Sequence, residues 1–184
     1  MISDEILDIA RIEAKDKRIT LALILGIVQA ESSGDTWAYK PEPPYRYLWD
    51  VKRGRPFRDL TMAERTSENA PHDFLAPVPS VDPDAEWWGQ QASWGLMQVM
   101  GAVAREVGFG GPYLTALCDP ALGLHIGCTK LRRLLQAYGD AEMAVSAYNF
   151  GHVAFKPGTK EFENQRYVDK VITAAKSWQN RGVA

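Results

Sequence analysis

Glu31 is the residue whose position most needs a chemical explanation. Upstream of it Leu21, Ile24, Leu25 and Val28 recur at i, i+3, i+4 and i+7, one face of a helix. Glu31 shares a face with Ile24, Ile27 and Val28, so a carboxylate ends an apolar stripe. Withdrawing a carboxyl from water raises its pKa, which suits a general acid near neutral pH. Against this stands the ordinary reading, favoured by spacing alone, that a glutamate at a helix C-terminal end simply reaches solvent. Two further segments carry polar groups among small and apolar residues: Gly95-Leu96-Met97-Gln98-Val99-Met100 and Ala147-Tyr148-Asn149-Phe150-Gly151. The Gln98 amide and Tyr148 phenol are suited to orienting a neutral polar ligand such as a sugar. Taken singly, each is more often helix packing.

The elements that must position these groups are mainly helical. Ile6, Leu7, Ile9, Ala10 and Ile12 predict an apolar face on a first helix. Thr20 is placed to cap the second and Gly34 to stop it. Residues 37–93 hold eight of the chain's eleven prolines, including Pro43 and Pro44, which excludes sustained helix there. A single short helix is expected at Thr61, where Thr61-x-x-Glu64 forms a capping box. The same zone carries Trp37, Tyr39, Tyr45, Tyr47, Trp49, Phe57, Phe74, Trp87 and Trp88, aromatic surface that must be buried or bind something. Beyond it the patterning predicts helices over about 93–107, from Asp119-Pro120 to Tyr138, from Asp140 to near Gly151, and over about 164–180. The expectation is one mainly α domain over 1–184 with an aromatic, proline-rich insertion at about 37–93.

Composition narrows the function. A chain of 184 residues, 46% hydrophobic and 24% charged, is an ordinary globular protein with one core. Its net charge of -2 argues against a nucleic-acid partner. Two cysteines and three histidines at unhelpful spacings predict no disulfide framework, metal or other cofactor. Leu21 to Val28 is far short of the roughly 20 residues that cross a bilayer, so no stable membrane association is expected. Met1-Ile2-Ser3-Asp4-Glu5 lacks the basic and apolar regions of a signal peptide. The expectation is therefore synthesis in the cytoplasm and, for an extracytoplasmic target, delivery by another agent.

Glu31-Ser32, Gly-Leu-Met-Gln at 95–98, Asp119-Pro120, Ile126-Gly127, Ala147-Tyr148-Asn149-x-Gly151 and Glu163-x-x-x-Tyr167-Val168 occur in that order. This ordered set resembles the catalytic domain of the soluble lytic transglycosylases, related in fold to goose-type lysozyme, over about 18–36 and 92–176. The resemblance implies a lysozyme-like helical fold, peptidoglycan glycan strands as substrate, no cofactor, and a monomer. It makes Glu31 the single catalytic acid, protonating the β-1,4 bond between N-acetylmuramic acid and N-acetylglucosamine. Its carboxylate would then deprotonate the muramoyl C6 hydroxyl, which closes on C1 as a 1,6-anhydro end, unlike the paired-carboxylate scheme of most glycosidases. By the same match Ser32, Gln98, Met100, Tyr148, Asn149 and Glu163 would contact substrate or shape its cleft. With the missing signal peptide, the expected biological setting is a phage endolysin released through a holin, or a virion component.

Several positions depart from the family pattern. Glu31 and Gly95 are 64 positions apart (95 − 31), far more than in the family. Its Asn-Pro is replaced by Asp35-Thr36, its later proline by Gly101, and the serine that contacts the glutamate by Gly89. Gln90, Gln91 and Ser80 are candidates for that serine's role. Asp82, Asp84 and Glu86 are either acids of a solvated loop, the favoured reading, or a second carboxylate, which would allow a water-using muramidase. The remaining alternative is a catalytically silent glycan-binding or virion structural module.

Overall fold

A computed structural model describes residues 2–42 and 45–183; Pro43 and Pro44, part of the proline-rich expectation, lie outside them, as does Met1. In chain order the elements are α1 (Asp4–Lys17), α2 (Leu21–Glu31), β1 (Tyr39–Pro41), β2 (Trp49–Asp50), β3 (Arg55–Pro56), a 3-10 turn (Glu64–Thr66), α3 (Pro83–Gln90), β4 (Ala92–Trp94), β5 (Val99–Met100), α4 (Gly101–Glu106), a second 3-10 turn (Leu114–Cys118), α5 (Pro120–Tyr138), α6 (Ala141–Phe150) and α7 (Gln165–Asn180). The fold is mainly helical, with few and short strands. It divides into two compact units, 1–35 with 127–184, and 36–126.

The first unit is built on α2. Leu21 to Val28 are all buried, and Ile24, Leu25, Ile27 and Val28 are wholly so. A helix apolar on every side belongs at the centre of a core, and α1 and α7 lie against it. The α2–α7 contact is close: a Cβ on Gly26 would stand 2.8 Å from the Val171 carbonyl oxygen. The predicted face of α1 is corrected in part. Ile6 and Ala10 are buried, but Ile12 is 67% exposed and Glu13 takes the inward position. Ser3 caps α1 and Asp140 caps α6, each side chain accepting an N–H from the first turn. Gly151 closes α6 with φ 89°.

The second unit combines a three-stranded sheet, in the order β1-β4-β5, with the β2-β3 hairpin, α3 and α4. Both ladders of the larger sheet are antiparallel. Leu48, Leu60, Phe74 and Trp87 form a core of their own, with Phe57 and Ala70 against it. Phe74 meets both Phe57 and Trp87 edge to face at 5.2 Å, the arrangement the ring quadrupoles favour. The Thr61 capping box is present: Glu64 accepts from the Thr61 N–H at 2.8 Å, and Thr61 Oγ1 accepts from the Glu64 N–H at 3.3 Å. It encloses one 3-10 turn rather than an α-helix.

The helix expected over 93–107 is a hairpin followed by a short helix. Gly95 has φ +65° and Gln98 φ +44°, so the chain reverses between β4 and β5 before α4 begins. Only glycine suits position 95, where a Cβ would also stand 2.2 Å from the Leu117 carbonyl oxygen. The other expected helices are present. At the start of α5, Asp119 Oδ1 accepts from the Leu122 N–H at 2.9 Å and Pro120 takes the first helical position.

Candidate active site

Glu31 is the last residue of α2 and is half-buried. The helix stops there because Ser33 and Gly34 both take left-handed backbone angles, φ 55° and 89°. Ser32 seals the end: its Oγ donates to the Val28 carbonyl at 3.3 Å and accepts from the Gly34 N–H at 3.2 Å. The carboxyl is positioned from α7, where the Tyr167 hydroxyl donates to Glu31 Oε1 at 2.6 Å. Lys170, also on α7, donates its Nζ to the Ala30 carbonyl at 2.5 Å.

These contacts oppose one another electrostatically. A carboxylate at a helix C-terminus faces the negative end of the macrodipole, and burial beside apolar α2 disfavours ionisation. The Tyr167 donor favours it. Burial, with the negative charge of Glu31, pushes the Tyr167 phenol well above its ordinary value of 10.0. It therefore remains a donor throughout the useful pH range.

Tyr148, on α6, is buried, and its phenol is also pushed up, first by burial and then by the charge of Glu31. The Lys130 ammonium lies 3.8 Å from its ring centroid and donates to its backbone carbonyl at 2.8 Å, fixing the ring by both contacts. The neighbouring Asn149 is exposed. Its Oδ1 accepts from Asn164 Nδ2 at 3.1 Å, while the same Asn164 amide joins the Ser146 hydroxyl and carbonyl. This tie fixes the end of α6 to the start of α7. Glu163 is exposed and lines a cavity of about 290 Å³ with Lys156, Arg166 and Tyr167 among others. Tyr167 thus joins that cavity to Glu31.

The first unit therefore gathers Glu31 and Ser32 at the end of α2, Tyr148 and Asn149 on α6, and Glu163 just before α7. Gln98 and Met100 belong to the second unit. The Gln98 side chain is engaged there: Nε2 donates to the Ala38 and Gly95 carbonyls at 2.9 and 3.0 Å, and Oε1 accepts from Ser93 Oγ at 3.0 Å. It staples the β4–β5 turn to the segment before β1. Met100 is half-buried at the end of β5.

Tyr167 and Lys130 are the residues that reading the candidates one at a time passed over. The Glu163-x-x-x-Tyr167 spacing contained the signal for the first. For Lys130 no sequence signal exists, because its contact with Tyr148 joins two helices.

Of Asp82, Asp84 and Glu86, the expected solvated acids, only Asp82 is exposed and outside a helix; Asp84 is half-buried and Glu86 buried, which corrects the expectation for those two. Asp82 caps α3 by accepting the Asp84 N–H at 2.8 Å, and Asp84 accepts the Ala70 N–H at 2.6 Å. Glu86 is buried in an ion pair with Arg105, two bonds of 2.8 Å. Gln90 and Gln91 are likewise buried and bonded, the first to the Trp49 backbone and the second to the Trp87 carbonyl. Ser80 sits exposed in a turn.

Among the described residues no three or more His, Cys, Asp or Glu side chains form a cluster able to hold a metal ion, and no helix is long and apolar enough to cross a membrane. No curated protein and no solved structure matches the chain. A protein-family model does: that of the transglycosylase SLT domain matches residues 8–169, running from α1 to α7. That span includes Glu31, the hairpin of Gln98, Tyr148 and Tyr167, and its length leaves little of the chain outside it. The chain belongs to the transglycosylase SLT domain family, whose members carry a lytic-transglycosylase activity on peptidoglycan.

Proposed function

We propose that the protein cleaves the β-1,4 bond between N-acetylmuramic acid and N-acetylglucosamine and leaves a 1,6-anhydro end, with Glu31 as its one acid and base. The observation that carries this reading is the 2.6 Å bond from Tyr167 to Glu31 Oε1 at the half-buried end of α2. The protonated Glu31 gives its proton to the glycosidic oxygen as the C1–O bond breaks. The resulting carboxylate takes the proton from the muramoyl C6 hydroxyl, and that oxygen bonds to C1. Glu31 ends protonated, as it began, and no water enters the products.

Tyr167 contributes by holding one carboxyl oxygen and by stabilising the charge that Glu31 carries between the two transfers. Tyr148, rigid under Lys130, supports the same site. Asn149, Glu163 and Ser32 bound the substrate's path in the first unit. In the second, Met100 lines a sugar subsite and Gln98 holds the turn that carries it. Asp82, Asp84 and Glu86 are committed to structural bonds, which favours the single-carboxylate scheme over a paired one.

The test is a digest of purified peptidoglycan by the parent and by Glu31→Gln, read by mass spectrometry. The parent is expected to release anhydro-muropeptides, and the variant to lose about 10²–10⁴-fold in rate, as removal of a general acid does. Reducing muramic ends in the parent digest would instead make the enzyme a hydrolase. Parental rates in the variant would remove Glu31 from the mechanism.

A further inference from the structure

Four aromatic side chains of the second unit converge on a groove that the reaction above does not use. Tyr39 of β1, Trp88 of α3, Trp94 of β4 and Tyr113 line a cavity of about 190 Å³. Tyr39, Trp88 and Tyr113 are 54%, 41% and 53% exposed, whereas Trp87, adjacent to Trp88, is 2% exposed. Burial was thus available to this segment's aromatics, yet these three keep their faces in water.

The groove is preformed. The Trp88 indole N–H donates to the Glu68 carbonyl at 2.9 Å, and that of Trp94 to the Gly89 carbonyl at 2.9 Å. Both polar handles are consumed, so what the indoles present is ring surface. Tyr39 and Trp94 stand 4.7 Å apart at 51°, making a corner. The segment leading to Tyr113 is held by buried Arg105, which donates to the Phe109 and Gly111 carbonyls at 3.0 and 2.5 Å. Glu86, the one charged residue of the lining, is neutralised by the same guanidinium. A site so fixed loses little entropy when it is filled.

These properties define the ligand. The volume falls below the roughly 300–1,000 Å³ of pockets for drug-sized molecules, so one ring fills it. With its single charge already paired, the groove selects a neutral group. Aromatic faces together with the hydroxyl-bearing Tyr39, Tyr113 and Thr115 of the lining match a pyranose, which has an apolar face and a hydroxylated edge.

We propose that this groove is a glycan subsite that takes one uncharged N-acetylhexosamine ring, stacked on Trp88 and bordered by Tyr113. That the ring belongs to a peptidoglycan strand rests on the function proposed above.

The test is titration with tri-N-acetylchitotriose followed by tryptophan fluorescence, which needs no turnover. The parent is expected to saturate. Trp88→Ala and Tyr113→Ala are each expected to weaken binding by about tenfold or more, as loss of a central aromatic does. Tyr113→Phe should keep most of the affinity, and Met62→Ala, distant in kind and 81% exposed, all of it. Tyr113→Ala retains the test if Trp88→Ala lowers the melting temperature. Parental affinity in both alanine variants, or no saturable binding by the parent, overturns the proposal. A parent that binds through Trp88 and Tyr113 but cleaves no peptidoglycan overturns the proposed function and leaves the groove standing. Cleavage with unaltered binding in both alanine variants does the reverse.

Discussion

Replacing Tyr167 with phenylalanine removes one hydroxyl and keeps the ring, so it isolates the 2.6 Å bond to Glu31 Oε1. A hydrogen bond to a neutral partner contributes about 1 kcal/mol, and one to a charged partner about 1.5–3 kcal/mol. Only the difference, about 0.5–2 kcal/mol, acts on the barrier, because the bond already exists before Glu31 gives up its proton. At 1.36 kcal/mol per factor of ten, kcat should fall by about 2- to 30-fold. The sign of the pH effect follows from the same bond. Tyr167 favours the ionised carboxyl, so its loss favours the protonated acid. The alkaline limb of the rate profile, where the acid is lost, should then move to higher pH.

Release of soluble anhydro-muropeptides, measured from mildly acidic to mildly alkaline pH, reads both quantities. A residue that only holds α7 against α2 would lower the melting temperature and leave the profile in place. Parental kcat with an unmoved alkaline limb would refute the assignment of Tyr167 to the acid.

Three further outcomes test the scaffold. Arg105→Met should cost about 3–5 kcal/mol in chemical denaturation, since it strands buried Glu86 without its partner, and Glu86→Leu in the same chain should restore part of it. Gly26→Ala should cost about 1–3 kcal/mol by the same measurement, because its Cβ would meet the Val171 carbonyl oxygen at 2.8 Å and Ala175 at 3.1 Å. The Arg58 hydrogen bonds hold Glu64 down from 4.5 to about 2, so its contribution is present above pH 4.5 and lost as pH falls towards 2. Amide-exchange protection over residues 58–73 should decline across that window, and less so in Arg58→Ala, which keeps only the Thr61 bonds to Glu64.

Where local chemistry decided the outcome, the sequence was enough. Asp119-Pro120, Asp140 and Gly151 mark helix ends through their own side chains or backbone freedom, and each sits where its residue type places it. The Thr61–Glu64 box formed as its spacing requires. Failure came where distant groups decide. Ser93 to Met100 carries residues that suit a helix, but pairing with β1 and the close approach of Leu117 to Gly95 impose a hairpin. On α1, Ile6 and Ala10 face inward as expected, but Ile12 falls off that i, i+4, i+7 stripe and Glu13 completes it. At the site, Glu31, Tyr148 and Asn149 were visible through an ordered set of motifs. The Lys130 contact with Tyr148 joins α5 to α6 and leaves no local trace.

Two glycines of the second unit sit where a side chain would be crowded. Gly89, within α3, lies where a Cβ would stand 2.9 Å from Leu114 Cδ1. Gly101, the first residue of α4, lies where a Cβ would stand 2.2 Å from the Gly89 carbonyl oxygen and 2.8 Å from Gln90 Cα. Both glycines are therefore set by α3, which is wedged between the start of α4 and the Leu114–Cys118 turn. The helix lies between Glu31 and Gly95 in the chain and is anchored by Trp87 in the Leu48–Phe74 core and by Glu86 on Arg105. A long insertion costs little loop entropy, but a helix seated against the hairpin's neighbours demands space. Two glycines supply that space, and the Gly95 turn with its Gln98 staple keeps its geometry beside them.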